Sequence, residues 1–194
     1  MRGILLVRHG NTTYDDKVDA LLDPPLDEEG MERIARTVQF IHEGDFGIKR
    51  VISSPLQRTL RLASKIADNN LRVTTNNAAL PWNLGDLMGK LTKVVQPKID
   101  YLENYPDIKA PHGESYRTFY NRWSEFLRRL MTYFEVHPDN SLAVVTHSRN
   151  IDAIESIVGD APIGDVTPIS PEASVTLLAK NGVSWTYSQI WNGK

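Results

Sequence analysis

The chain of 194 residues contains no cysteine. Disulfides, thiolate nucleophiles and thiolate metal sites are therefore excluded, and an intracellular chain is favoured. No apolar run is long enough to cross a bilayer. The apolar start, Ile4 to Val7, is too short for a signal-peptide core, and no small-residue cleavage site follows it. The cytoplasm is the compartment expected. Charge of one sign is not in excess: 22 Lys and Arg stand against 24 Asp and Glu, a formal net charge of -2. That balance gives no bulk attraction to nucleic acid or to an anionic membrane, so neither is expected as a partner. Among the five histidines no His-x-His or His-x-x-x-His spacing occurs, which argues against a metal site. Repeats, low-complexity tracts and linkers are missing too. A single domain over residues 1–194 is the simplest organisation, and the sequence does not specify an oligomeric state.

What is present reads as strands alternating with helices. Ile4 to Val7 is a short buried strand. Asp27 caps a helix running to about His42. Arg50 to Ser53 is a second strand. Ser54 and Pro55 fit the cap and first position of a helix reaching about Ala67. The stretch from about 69 to 113 is rich in proline and glycine. It reads as an irregular cap over one end of the sheet, with a short helix near Gln96 to Asn104. A long amphipathic helix follows, from Ser115 to Val136, with Phe119, Trp123, Phe126, Leu127 and Leu130 on its core face. Ser141 to Thr146 is a third strand, and the helix after it runs to about Val158. Lys180-Asn181-Gly182 joins two alternating runs into a hairpin. The pattern predicts an α/β fold: a three-layer α/β/α sandwich with a mostly parallel sheet and a C-terminal antiparallel hairpin.

Three strands end on unusual residues. The first gives Arg8-His9-Gly10-Asn11-Thr12, the second Ser53-Ser54-Pro55 with Arg58 just beyond, the third Thr146-His147-Ser148-Arg149. Ligands of open α/β sheets bind outside the carboxyl ends of the strands. If these strands are parallel neighbours, two histidines and at least two arginines converge there. Arginine forks onto phosphate or carboxylate oxygens, and helix N-termini add N–H groups. Gly10 would let the backbone approach a ligand. The group suits a compact anion. A neutral imidazole facing it can act as a nucleophile, with the arginines stabilising charge during transfer.

Leu6-Val7-Arg8-His9-Gly10-Asn11-Thr12 resembles the signature of the histidine phosphatase superfamily, the phosphoglycerate-mutase-like proteins. Four further stretches match it in order. Pro25-Leu26-Asp27-Glu28-Glu29-Gly30 resembles its Pro-Leu-Thr-x-x-Gly. Ser53-Ser54-Pro55-Leu56-Gln57-Arg58-Thr59 resembles Ser-Ser-Pro-Leu-x-Arg-Ala. Gly113-Glu114-Ser115 with Arg122 resembles Gly-Glu-Ser with a downstream arginine. Val144-Val145-Thr146-His147 resembles Val-x-x-His-Gly. The resemblance implies that His9 becomes phosphorylated and that Arg8, Arg58 and His147 complete the catalytic pocket. Asn11 and Ser148 would supply further hydrogen bonds. It implies a small phosphorylated substrate, hydrolysis of the phosphohistidine by water, and no metal or organic cofactor.

One departure stands out. Most members carry Leu-x-Glu-x-x-x-Gly, whose glutamate protonates the leaving group. Here Leu80 to Gly89 contains no glutamate, and Trp82 or Asn83 falls nearest its place. Asparagine cannot deliver a proton. Glu114 and Asp86 are the candidate general acids; the alternative is that the donor is missing. Ser148 also replaces a usual glycine. An active phosphomonoesterase, a phosphate-binding module with degenerate catalysis and a mutase-type phosphotransferase are the readings these residues allow.

Overall fold

Ile4, Leu5, Leu6 and Val7 are all fully buried, as a short apolar run requires when both faces of its sheet are covered. They form β1 (Ile4–Arg8). In the computed structural model, which describes residues 1–14, 16–159, 161–164, 168 and 170–194, β1 lies inside one six-stranded sheet. The other strands are β2 (Ile48–Ser53), β3 (Val73–Thr75), β4 (Ser141–Thr146), β5 (Val175–Asn181) and β6 (Ser184–Trp191). Their order is β3-β2-β4-β1-β5-β6. The first four are mutually parallel, β5 runs antiparallel to β1, and β6 antiparallel to β5. The expected C-terminal hairpin is present.

Alternation along the strands sends side chains to both faces. Leu5, Val7, Val51, Ala143 and Val145 pack with Ile34 and Ile41 of α1 (Glu28–Glu43) and Leu62 and Ile66 of α2 (Gln57–Ala67). Ile4, Leu6, Ile52, Leu142 and Val144 meet the other layer. That layer comprises α3 (Thr92–Asn104), α4 (Tyr116–Val136), α5 (Ser148–Asp152) and α6 (Ile154–Val158). Tyr116, Phe119, Trp123 and Leu127 are its fully buried apolar α4 contribution. The architecture is the three-layer α/β/α sandwich expected.

Several local expectations need correction. α2 begins at Gln57, not Pro55, and Ser54 does not cap it. The Asp23 carboxylate instead accepts the Gln57 N–H at 3.0 and 2.9 Å, which leaves the Ser54 hydroxyl free to face the site. The helix after β4 is broken at Ala153 into α5 and α6. The 69–113 stretch holds β3 and two single-turn 3-10 helices, and α3 starts at Thr92, earlier than Gln96. The hairpin turn is Gly182-Val183, because Asn181 pairs with Ser184 and Gly182 takes the positive φ of 60°. Gly10 also serves packing: a Cβ there would lie 2.6 Å from the Gly30 carbonyl oxygen.

Candidate active site

Because β2, β4 and β1 are neighbours, their carboxyl ends deliver Ser54, His147 and His9 to one place. His9 and His147 meet edge to face, with ring centroids 5.1 Å apart. Both are almost completely buried. Nδ1 of His9 donates to the Gly10 carbonyl at 2.7 Å, which leaves Nε2 unprotonated. Arg58 donates to that Nε2 through Nε at 3.3 Å and reaches Nδ1 of His147 through Nη2 at 3.4 Å. A guanidinium has no acceptor, so His147 Nδ1 accepts and its Nε2–H donates to Ser54 Oγ at 2.9 Å.

Burial first, then the Arg58 guanidinium, holds both imidazoles well below the ordinary histidine pKa of 6.5. Each is neutral at pH 7. Arg58 itself is 1% exposed. Burial pulls its pKa down, and the Asp19 and Asp23 carboxylates oppose that. Its back is held by the carbonyls of Leu22 at 2.8 Å and Ala20 at 2.6 Å.

A cavity of about 380 Å³ opens above the histidines. Arg8, His9, Asn11, His147 and Ser148 all line it; Arg58 is not among the lining residues and bonds to both imidazoles from a buried position. Arg8 is tied by Nη1 to the Ser170 carbonyl at 2.5 Å and by Nη2 to Glu172 at 2.7 Å, while its buried Nε–H has no acceptor among the described residues. Glu172 and Ser170 were not legible in the sequence, since they sit more than 160 residues from Arg8 with no local pattern to mark them.

The two sequence-predicted acids are elsewhere. Among the described residues, neither Glu114 nor Asp86 lines the cavity. Oε1 of Glu114 accepts from the Asn83 N–H and from Arg122 Nη2, both at 2.9 Å. Arg122 also donates to the carbonyls of Ala78 at 3.0 Å and Leu80 at 3.1 Å. The pair thus clamps the 77–83 segment. Asp86 is half exposed and paired with His112 at 2.9 Å. Asn83 turns its amide oxygen to the Gly85 N–H at 3.0 Å. Trp82 does line the cavity, with its indole N–H donated to the Glu114 carbonyl at 3.1 Å. Tyr101 and Tyr105 are exposed and pack against each other with tilted rings, while Tyr116 and Tyr120 are buried in the core. Among the described residues, the carboxyls that line the cavity are Asp19, Asp152 and Glu172. Asp19 lies in a polar loop crowded with aspartates, so nothing in the sequence singles it out.

The model of the histidine phosphatase superfamily (branch 1) matches residues 4–192. No curated protein matches the sequence. Similar solved structures include a mycobacterial glucosyl-3-phosphoglycerate phosphatase in complex with VO3, 22% identical, covering all of both chains with a TM-score of 0.80. Bacillus stearothermophilus YhfR is 20% identical over 100% of this chain and 98% of its own, with a TM-score of 0.78. Phosphoglycerate mutase from Bacillus anthracis is 16% identical over 98% and 92%, with a TM-score of 0.75. At these identities the structures establish the shared fold, while the family match spans nearly the whole sequence. This chain belongs to the histidine phosphatase superfamily, branch 1.

Proposed function

We propose that the protein hydrolyses a phosphomonoester through a phosphohistidine on His9. The observation that carries this reading is the state of His9: buried, neutral, and with Nε2 left unprotonated by the Nδ1 bond to Gly10. A lone pair so placed can attack phosphorus. The two bonds from Arg58 to imidazole nitrogens are long, at 3.3 and 3.4 Å. Those N–H groups can pass to phosphate oxygens, which are the better acceptors. Arg8, which lines the cavity, adds a second guanidinium to the anion site. Asn11 and Ser148 line the same cavity and add polar contacts.

In the first step the His9 Nε2–P bond forms and the ester P–O bond breaks. In the second, water attacks phosphorus, the P–N bond breaks, and inorganic phosphate leaves. The guanidiniums stabilise the charge on the transferring group in both steps. No metal or organic cofactor takes part in this scheme. The family match and the vanadate complex of a phosphatase neighbour support it. The test is turnover of p-nitrophenyl phosphate by wild type and by His9→Ala. Turnover by the wild type alone, with equal melting of both proteins, is expected. Equal turnover by both would overturn the covalent route. One observation favours a phosphate-binding module with degenerate catalysis: Trp82 and Asn83 stand where the family's proton-donating glutamate is expected. That reading requires vanadate binding without measurable turnover.

A further inference from the structure

We propose that Asp19 is the proton donor to the leaving group. This role rests on the phosphatase reading above. Departure of an alkoxide needs a proton, and the obvious sources are committed elsewhere. Glu114 clamps the 77–83 segment, Asp86 pairs with His112, and Trp82 gives its N–H to a carbonyl.

Asp19 lines the cavity, and its side chain is 29% exposed. Its Oδ2 lies 3.5 Å from Arg58 Nε, the same atom whose hydrogen points at His9 Nε2 from 3.3 Å. Carboxylate and nucleophile therefore flank one N–H without pairing with each other. A phosphoryl group entering between them would have His9 on one side and Asp19 within reach of the other. No other cavity carboxyl among the described residues shares a guanidinium with the nucleophile. Glu172 is bound to Arg8 at 2.7 Å, and the almost fully buried Asp152 accepts the Ser170 hydroxyl at 2.7 Å.

The backbone around Asp19 is preorganised. Val18 is tied on both sides to the neighbouring segment, its N–H to Lys90 at 3.0 Å and its carbonyl to Gly89 at 2.7 Å. Oδ1 of Asp19 accepts the Ala20 N–H at 2.6 Å, which orients the carboxyl. Ala20 adopts φ 36°, a conformation uncommon for a residue with a Cβ. That geometry puts its carbonyl against Arg58. Strain of this kind clusters at functional sites.

The proton balance closes. The cycle starts with the transferable proton on the Asp19 carboxyl. As the P–O bond breaks, the carboxyl proton moves to the departing oxygen, giving the alcohol and a carboxylate. The carboxylate then takes a proton from the water that attacks the phosphohistidine. Inorganic phosphate leaves and Asp19 is protonated again.

The experiment is a series of phosphate monoesters with leaving groups of graded pKa, from 2,4-dinitrophenyl to alkyl. It is run on wild type, Asp19→Asn, Asp19→Glu, Asp23→Asn and Glu172→Gln. Loss of a general acid removes about 10²–10⁴-fold. Asp19→Asn should lose that factor on alkyl esters, stay within a few fold on the dinitrophenyl ester, and steepen the leaving-group dependence. Asp19→Glu should restore part of the loss. Asp23→Asn, which removes the other carboxylate near Arg58, should lower all esters alike and leave the slope unchanged. An unchanged slope in Asp19→Asn overturns the proposal. So does a uniform loss on every ester, equal steepening in Asp23→Asn, or steepening in Glu172→Gln instead. If the wild type forms no phosphohistidine and hydrolyses no ester, the phosphatase reading falls and the donor role with it.

Discussion

At the scale of the residue, the two histidines are set apart by what surrounds them. Both are buried beside Arg58, and each has one ring nitrogen committed to an acceptor on the protein, Gly10 for His9 and Ser54 for His147. Burial and the arginine field depress both pKa values. The acid limb of kcat/KM that reports His9 should therefore fall below pH 6.5. In Arg58→Ala one depressing charge is gone, so that limb should move up in pH while burial keeps it below the ordinary value. A limb that stays put, or moves down, would show that Arg58 does not act on His9. Arg58→Ala should also weaken vanadate binding. A charge-assisted contact is worth about 1.5–3 kcal/mol, or roughly 10- to 150-fold in affinity. Calorimetry measures this directly, and unchanged affinity would remove Arg58 from the anion site.

At the scale of the element, the site depends on close packing between the end of β1 and the start of α1. Gly10 and Gly30 face each other there. A Cβ on Gly30 would lie 2.2 Å from the Asn11 carbonyl oxygen, which is backbone and cannot swing aside. Gly30→Ala should therefore destabilise by about 1–3 kcal/mol. For a chain of this size that is a fall of roughly 2–12 °C in Tm. A melting curve checks it, and an unchanged Tm would mean that the strand end has room to move. This pair also shows what the sequence could carry. Pro25 to Gly30 was recognisable as a motif, but that its glycine meets Gly10 depends on a contact the chain makes only when folded. Strand ends were legible because apolar run, polar turn and helix start are local signals. Ser54 was misread as a cap for the opposite reason: its partner is His147, and the Gln57 N–H is satisfied by the distant Asp23. The missing glutamate was visible as an absence, whereas Asp19 and Glu172 became visible only once the fold had brought them to the cavity.

At the scale of the whole molecule, buried titratable groups shape stability against pH. The unfolded chain takes up protons on His9 and His147 near pH 6.5, while the folded chain takes them up only at lower pH. Their contribution is complete above that value and is lost as the pH falls through the window below it. Glu103 acts in the opposite sense. Burial raises its pKa despite Arg149, so the folded state gains from protonating it as the pH falls. Urea unfolding should show Glu103→Gln losing stability more steeply than wild type between pH 7 and 5; a shallower loss would reverse the assignment. Activity should also survive excess chelator, because the guanidiniums beside both imidazoles repel a cation. Loss of turnover with EDTA and recovery with a divalent ion would contradict this. The mechanism turns on a single covalent bond, from His9 Nε2 to phosphorus. Rapid quenching of the wild type during turnover of p-nitrophenyl phosphate, followed by intact mass and peptide mapping, tests it most directly. An acid-labile phosphoryl group confined to the His9 peptide, and absent from His9→Ala, is the result predicted. Turnover with phosphate on another residue, or with no phosphoprotein when product appears in a burst, would contradict it.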